Sequence, residues 1–184
     1  MLSKLFRHTG ECCRASPSIF YPLALLLGMI ASVEVFALTL NFSAVDAGNN
    51  HTCAVTTDGS VICWGNNDDG RATPPSGTFT QVSAGYYHTC GVKTDGNMAC
   101  WGHNGHGQST PPSGTFTQVS VGEYHSCGLK TDGSVVCWGA QYLPDGTFTQ
   151  VSVGHSHACG VTTNGGMGCW WWENSNGQAT PPNG

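Results

Sequence analysis

Charge is what this sequence has least of. Only 9% of its residues are Asp, Glu, Lys or Arg, against about 25% in an ordinary soluble protein. Lys and Arg together number six, and Lys4, Arg7 and Arg14 crowd into the amino end. A nucleic-acid binder needs basic residues to displace counterions from phosphates, so that class of partner is excluded. Gly-x-Ser-x-Gly, His-Glu-x-x-His and a phosphate-cradling loop are also missing. No catalytic residue, metal site or cofactor is therefore expected, and the chain is not read as an enzyme. Gly, by contrast, is abundant at 26 residues, which suits turn-rich β structure better than helices.

One long apolar run, Ile19 to Ala31, follows the basic leader, and Val35-Phe36-Ala37 then offers small residues at the two positions a signal peptidase inspects. Residues 1–37 are read as a signal peptide cleaved after Ala37. The alternative is an uncleaved anchor over 19–40, about long enough to span a bilayer, though Glu34 lies inside it. Membrane attachment is expected only in that second case; otherwise the protein is secreted or extracytoplasmic. Loss of the leader leaves three basic residues (Arg71, Lys93, Lys130) against nine acidic ones, a formal charge of −6. Cys12 and Cys13 leave with it. Eight cysteines remain, and an even number in an exported chain implies a disulfide framework.

What is there in plenty is repetition. His51-Thr52-Cys53 … Cys63-Trp64-Gly65 returns as His88 … Gly102, His125 … Gly139 and His157 … Trp170, each copy with nine residues between its cysteines. A fixed period signals one structural unit copied along the chain. The units run over 41–77, 78–114, 115–146 and 147–184. Each opens on an alternating stretch (42–48, 79–85, 116–122, 148–154) that reads as a strand. Each then carries a hairpin around Thr57-Asp58-Gly59 or its counterparts at 94–96, 131–133 and 163–165. A three-residue loop ending in Gly suits a type I turn closed by a left-handed residue.

That loop fixes the register. Thr56 faces Ser60, Val55 faces Val61, Ala54 faces Ile62 and Cys53 faces Cys63. The cysteines land on a non-hydrogen-bonded pair, with α-carbons about 4.5 Å apart, and a disulfide tolerates roughly 4.4–6.8 Å. The same arithmetic pairs Cys90 with Cys100, Cys127 with Cys137 and Cys159 with Cys169. Beside the bridges lie Val55/Val61, Val92/Met98, Leu129/Val135 and Val161/Met167, so one hairpin face is a core face.

The string Gly85-Tyr86-Tyr87-His88 … Thr94-Asp95-Gly96 … Trp101-Gly102-His103-Asn104-Gly105-His106-Gly107-Gln108 resembles the regulator of chromosome condensation repeat, and the likeness covers all four units. The resemblance implies an all-β chain of β-propeller type, each unit giving one blade of antiparallel strands. Family propellers usually close with seven blades, so four blades' worth is an incomplete ring with an apolar blade face left open. Self-association to complete a ring is one expectation; a fragment of a longer propeller, without function of its own, is another. The founder's roles, exchange on a small GTPase and contact with chromatin, do not fit an acidic, exported chain. The cysteine-bearing variant is closer to secreted bacterial propellers and to extracellular parts of plant receptor kinases.

Recurrence argues against catalysis, because an active site is singular. His51, His88, His125 and His157 sit two residues before a cysteine, and zinc ligation is conceivable, but the resemblance implies that each anchors its blade through a backbone hydrogen bond. Asp58, Asp95 and Asp132 read as turn formers. Asn66-Asn67-Asp68-Asp69-Gly70 could hold calcium but matches no EF-hand spacing. Specificity belongs where the units differ. Tyr86, Tyr87 and Tyr124 occupy equivalent loops, and Trp171 and Trp172 extend a position that holds one Trp elsewhere. Trp64, Trp101, Trp138 and Trp170 read as packing residues. These loop aromatics point to a scaffold that binds another protein, with a carbohydrate-binding module as the alternative.

Overall fold

A computed structural model describes residues 39–139, 144–171 and 173–182. The expected signal segment and Trp172 lie outside the described residues. Four three-stranded antiparallel sheets follow one another. Blade 1 holds β1 (Phe42–Ala47), β2 (His51–Thr56) and β3 (Val61–Gly65); blade 2 holds β4 (Phe79–Ala84), β5 (His88–Lys93) and β6 (Met98–Gly102). Blade 3 holds β7 (Phe116–Val121), β8 (His125–Lys130) and β9 (Val135–Gly139); blade 4 holds β10 (Phe148–Val153), β11 (His157–Thr162) and β12 (Met167–Trp171). Among the described residues the architecture is that of β-propeller blades in an arc that does not close.

The hairpin register follows from the turn. Val55 pairs with Val61, Ala54 with Ile62 and Cys53 with Cys63, and the other units repeat this pairing. Gly59 closes its turn at φ 86°, and the Asp58 carboxylate accepts the Ser60 amide at 3.1 Å. Four disulfides join Cys53–Cys63, Cys90–Cys100, Cys127–Cys137 and Cys159–Cys169, each across ten residues, with α-carbons 4.0–4.1 Å apart. That is closer than the sequence argument supposed, and tighter than the usual span of a bridged pair.

The first strands depart from simple alternation. A bulge interrupts each after its leading Phe, so Phe79 pairs with Lys93 but Gln81 pairs with Val92. The same shift separates Phe42 from Ala44, Phe116 from Gln118 and Phe148 from Gln150. The extra residue sends its hydroxyl to a carbonyl of the neighbouring strand, as Thr80 Oγ1 does to Val92 O at 3.3 Å. A bulge adds one residue to one strand and so inverts the faces beyond it. Phe and Gln, two apart, would otherwise share a face. Here Phe79 turns toward blade 1 and Gln81 toward blade 3.

Each blade thus has two unlike faces. The leading face, toward the preceding blade, carries Phe, Val and Trp; the trailing face carries the cystine, its flanking hydrophobes and the Gln. Phe79, Val82 and Trp101 of blade 2 pack on Cys53 and Val55 of blade 1. Phe116, Val119 and Trp138 pack on Cys90 and Val92. Phe148 and Val151 pack on Cys127, Leu129 and Val135. The core is therefore three interblade layers, and burying one such side chain is worth roughly 1.5–3 kcal/mol.

Polar clamps cross the same junctions. Gln81 donates to Val119 O at 3.2 Å and accepts the Val119 amide at 2.9 Å; Gln118 treats Val151 the same way at 3.0 and 2.9 Å. The Ala84 amide donates to Asp46, and the Val153 amide to Ser120. A seam of glycines lets the blades close on one another. A Cβ on Gly48 would lie 2.4 Å from Gly85 O, and one on Gly85 would lie 2.3 Å from Gly122 O.

Candidate functional site

The loops joining first to second strands gather at one end of the blades, just beyond the glycine seam. Asn49 N donates to Gly85 O and Tyr86 N donates to Gly122 O, both at 3.1 Å. Backbone bonds between loops of different blades hold them side by side, so residues 37 apart in sequence become neighbours in space.

Tyr86, Tyr87 and Tyr124 come together there. Tyr87 and Tyr124 stack with ring centroids 5.1 Å apart and planes at 29°; the Tyr86 and Tyr87 centroids are 4.4 Å apart. Two histidines from the loop after β6 complete the cluster: His106 stands edge-on to Tyr124 at 5.0 Å and His103 is tilted against Tyr87 at 6.0 Å. A side-chain hydrogen bond with Tyr87 is the main reason the Tyr124 phenol is pushed up to about 12. It therefore stays a neutral hydroxyl at any physiological pH.

Arg71 lies underneath. The repeat places Gln at this position (Gln108, Gln178), and blade 1 substitutes an arginine. The Arg71 side chain is buried; its guanidinium sits 5.4 Å from the Tyr87 centroid. Its Nε donates to Asp68 O at 2.9 Å, one terminal nitrogen donates to Tyr86 O at 3.1 Å, and the other lies 3.5 Å from Asp69. A buried guanidinium needs such partners, and here they pin the loop that carries Tyr86 and Tyr87. A recess of about 240 Å³ is lined by Asp68, Asp69, Arg71, Tyr87, His103 and Tyr124. Beside it, Tyr86, Glu123 and His155 border a shallow groove along the glycine seam, with Glu123 2.9 Å from the His155 ring.

Sequence reasoning singled out the three tyrosines but not Arg71, His103 or His106 as their companions. The signal for Arg71 was its departure from Gln in the repeat. The loop weighed for calcium, Asn66 to Gly70, instead spends Asp68 on Asn66 at 2.9 Å and Asp69 on Arg71. Trp171 ends β12 on blade 4, paired with His157, whereas the tyrosines belong to the loops of blades 2 and 3. Trp101 and Trp138 are buried packing residues, as their recurrence suggests, whereas Trp64 on the leading face of blade 1 is exposed.

Two of the recurrent histidines are structural latches between blades. His51 Nε2 lies 2.7 Å from Thr89 Oγ1, and that hydroxyl donates to Arg71 O at 3.0 Å. The hydroxyl proton being spent on the carbonyl, His51 is the donor to Thr89. His88 repeats the arrangement with Ser126 at 2.7 Å. At the third junction Ala158 stands where Thr89 and Ser126 present a hydroxyl. The resemblance implies a backbone anchor for all four; His51 and His88 reach a side-chain hydroxyl on the next blade. Burial, above all, holds His88 down to about 3 and His125 to about 4, so both are neutral at pH 7.

Three stretches, residues 42–71, 79–108 and 116–142, match the regulator of chromosome condensation (RCC1) repeat. Among solved structures, the chain is similar to the CRINKLY WD40 ectodomain of the Arabidopsis thaliana receptor kinase ACR4. The identity is 31% and the TM-score 0.63, over 71% of this chain and 51% of that one. The ectodomain of the Physcomitrella patens receptor kinase CR4 follows at 25% identity and TM-score 0.64, over 71% of this chain and 38% of that one. Prp20p of Saccharomyces cerevisiae, at 18% identity and TM-score 0.66 over 78% and 48%, shares the fold. No curated protein sequence matches. The chain thus spans about half the length of the first of these ectodomains and less of the second.

Proposed function

Because this chain carries repeats of the regulator of chromosome condensation family, we propose that it is a non-enzymatic interaction scaffold, exported from the cytoplasm, that binds a partner protein through the Tyr86–Tyr87–Tyr124 cluster. Its propeller repeats and its likeness to receptor ectodomains support an interaction scaffold in general terms. Four cystines, with the same ectodomain likeness, point to an extracellular domain. The finer reading, cleavage after Ala37 and release, rests on the leader's composition.

One observation carries the binding site. Three tyrosines from two blades, absent at the equivalent positions of blade 1 (Asn49-Asn50) and blade 4 (His155-Ser156), converge on a buried arginine at one end of the blades. Tyrosine and arginine dominate the energetic centres of protein interfaces. Asp68, Asp69 and Glu123 at the margin give this surface negative charge, so the complementary partner surface is basic. Tyr87 already engages Arg71 and Tyr124, which leaves little free ring face for stacking on a sugar and favours a protein over a glycan. Trp171, on blade 4, remains a separate candidate contact, and so by sequence does Trp172.

The test is capture of partners from the extracellular milieu of the source organism, run beside a glycan array. Wild-type chain is expected to retain a protein partner, with retention weakening as salt screens the acidic margin. Tyr87→Ala with Tyr124→Ala is expected to lose at least tenfold in affinity while keeping its four disulfides. Undiminished capture by the double variant would remove the cluster from the argument, and a glycan hit lost on the same substitutions would replace the protein reading.

A further inference from the structure

The three interior junctions share one chemistry. A leading face of Phe, Val and Trp enters a trailing face made of a cystine, its flanking hydrophobes and, at two junctions, a glutamine clamp. Among the described residues each half of that junction also occurs once without its mate. On blade 1 the leading face is open: Phe42, Val45 and Trp64 are 50%, 66% and 50% exposed, whereas their counterparts Phe79, Val82 and Trp101 are at most 8% exposed. On blade 4 the trailing face is open: Met167 is 56% exposed, and Gln150, Ser152, Cys159, Val161 and Met167 border a recess of about 190 Å³.

We propose that these two surfaces are the halves of a fourth junction, formed between two copies of this chain, the blade 1 wedge of one seated in the blade 4 socket of the other. The repeat supplies the contacts. Gln150 of one copy takes the Val45 amide and carbonyl of the next, as Gln118 takes those of Val151. Ser152 accepts the Ala47 amide, as Ser120 accepts that of Val153. His157 reaches the Thr52 hydroxyl, as His51 reaches Thr89. Phe42 and Val45 cover the Cys159–Cys169 cystine and Met167. Wedge and socket are different surfaces, so the contact is head-to-tail, and it either closes a ring or continues as a chain of copies. It lies on the blade faces rather than on the loops that bear the tyrosine cluster, and does not depend on how that cluster is used.

Complementation between two surface variants tests this directly. Sedimentation velocity of the oxidised wild-type chain is expected to give a mass of two chains or more that grows with concentration. Val45→Arg spoils the wedge and keeps the socket; Met167→Arg does the reverse. Each alone is expected to sediment as a single chain, and an equimolar mixture to form a one-to-one pair through the intact wedge and intact socket. Both positions are exposed, and retained disulfides and circular dichroism check that each variant is folded. Gln150→Ala should weaken wild-type association about tenfold, the loss expected for one to two hydrogen bonds. A wild-type chain that stays single at every concentration would overturn the proposal. So would a variant that associates as wild type does, or a mixture that fails to pair.

Discussion

Blades 2 and 3 differ from blades 1 and 4 far less in sequence than in surroundings. Phe42 and Phe116 open the first strands of equivalent units, yet one is half exposed and the other buried. The same holds for Trp64 against Trp138. The fold is therefore close to one-dimensional, with each unit stabilised chiefly by the neighbour it touches. Residue type decides which face a side chain joins; the presence of a neighbour decides what that is worth.

The largest expected effect that would sharpen this comparison is at the leading Phe. Phe116→Ala should cost about 3–5 kcal/mol, the usual range for emptying a buried aromatic site. Phe42→Ala should cost less than about 1 kcal/mol when measured in urea at concentrations where the chain is single. Equal losses at the two sites would mean that blade 1 is covered after all.

Cystines come next. Replacing Cys90 and Cys100 by Ala should lower stability by up to about 3 kcal/mol, less whatever the already local hairpin gives back. Replacing Cys159 and Cys169 should cost less, because the packing around that bridge is open on one side. Urea midpoints of the two double variants under non-reducing conditions make the comparison, and reversal of their order would break it.

Acid acts more gradually, through the buried rings of His88 and His125. An unfolded chain takes up protons on His88 and His125 near the ordinary 6.5, whereas the folded chain resists until about 3 and 4. Stability should therefore fall as pH drops below 6.5, by up to about 1.4 kcal/mol per pH unit for each ring. A urea midpoint that stays flat between pH 7.5 and pH 5 would show that these rings are not buried between blades.

The hairpins were legible in the sequence because their determinants are local. A three-residue turn with Gly at its end admits one register, and that register puts Cys53 opposite Cys63 and Val55 opposite Val61. The bulge after Phe79 was not legible, since Phe79 to Gly85 alternates in sequence whether or not a residue is inserted, and only pairing reveals that Phe79 and Gln81 face opposite ways. The tyrosines were legible as variation on a repeat. Their meeting with Arg71, His103 and His106 depends on how one blade's outer loop lies over the next, which no local pattern encodes. The glutamine clamps escaped for the same reason: Gln81 and Val119 are joined only by the stacking of blades.

Each cystine closes inside a single hairpin, over ten residues, and none ties one blade to another. Gene duplication or deletion of a whole unit therefore moves thiols in matched couples and strands no odd sulfur. Oxidation of a lengthened or shortened descendant needs no reshuffling, so blade number is free to drift while the redox chemistry of every remaining blade stays solved.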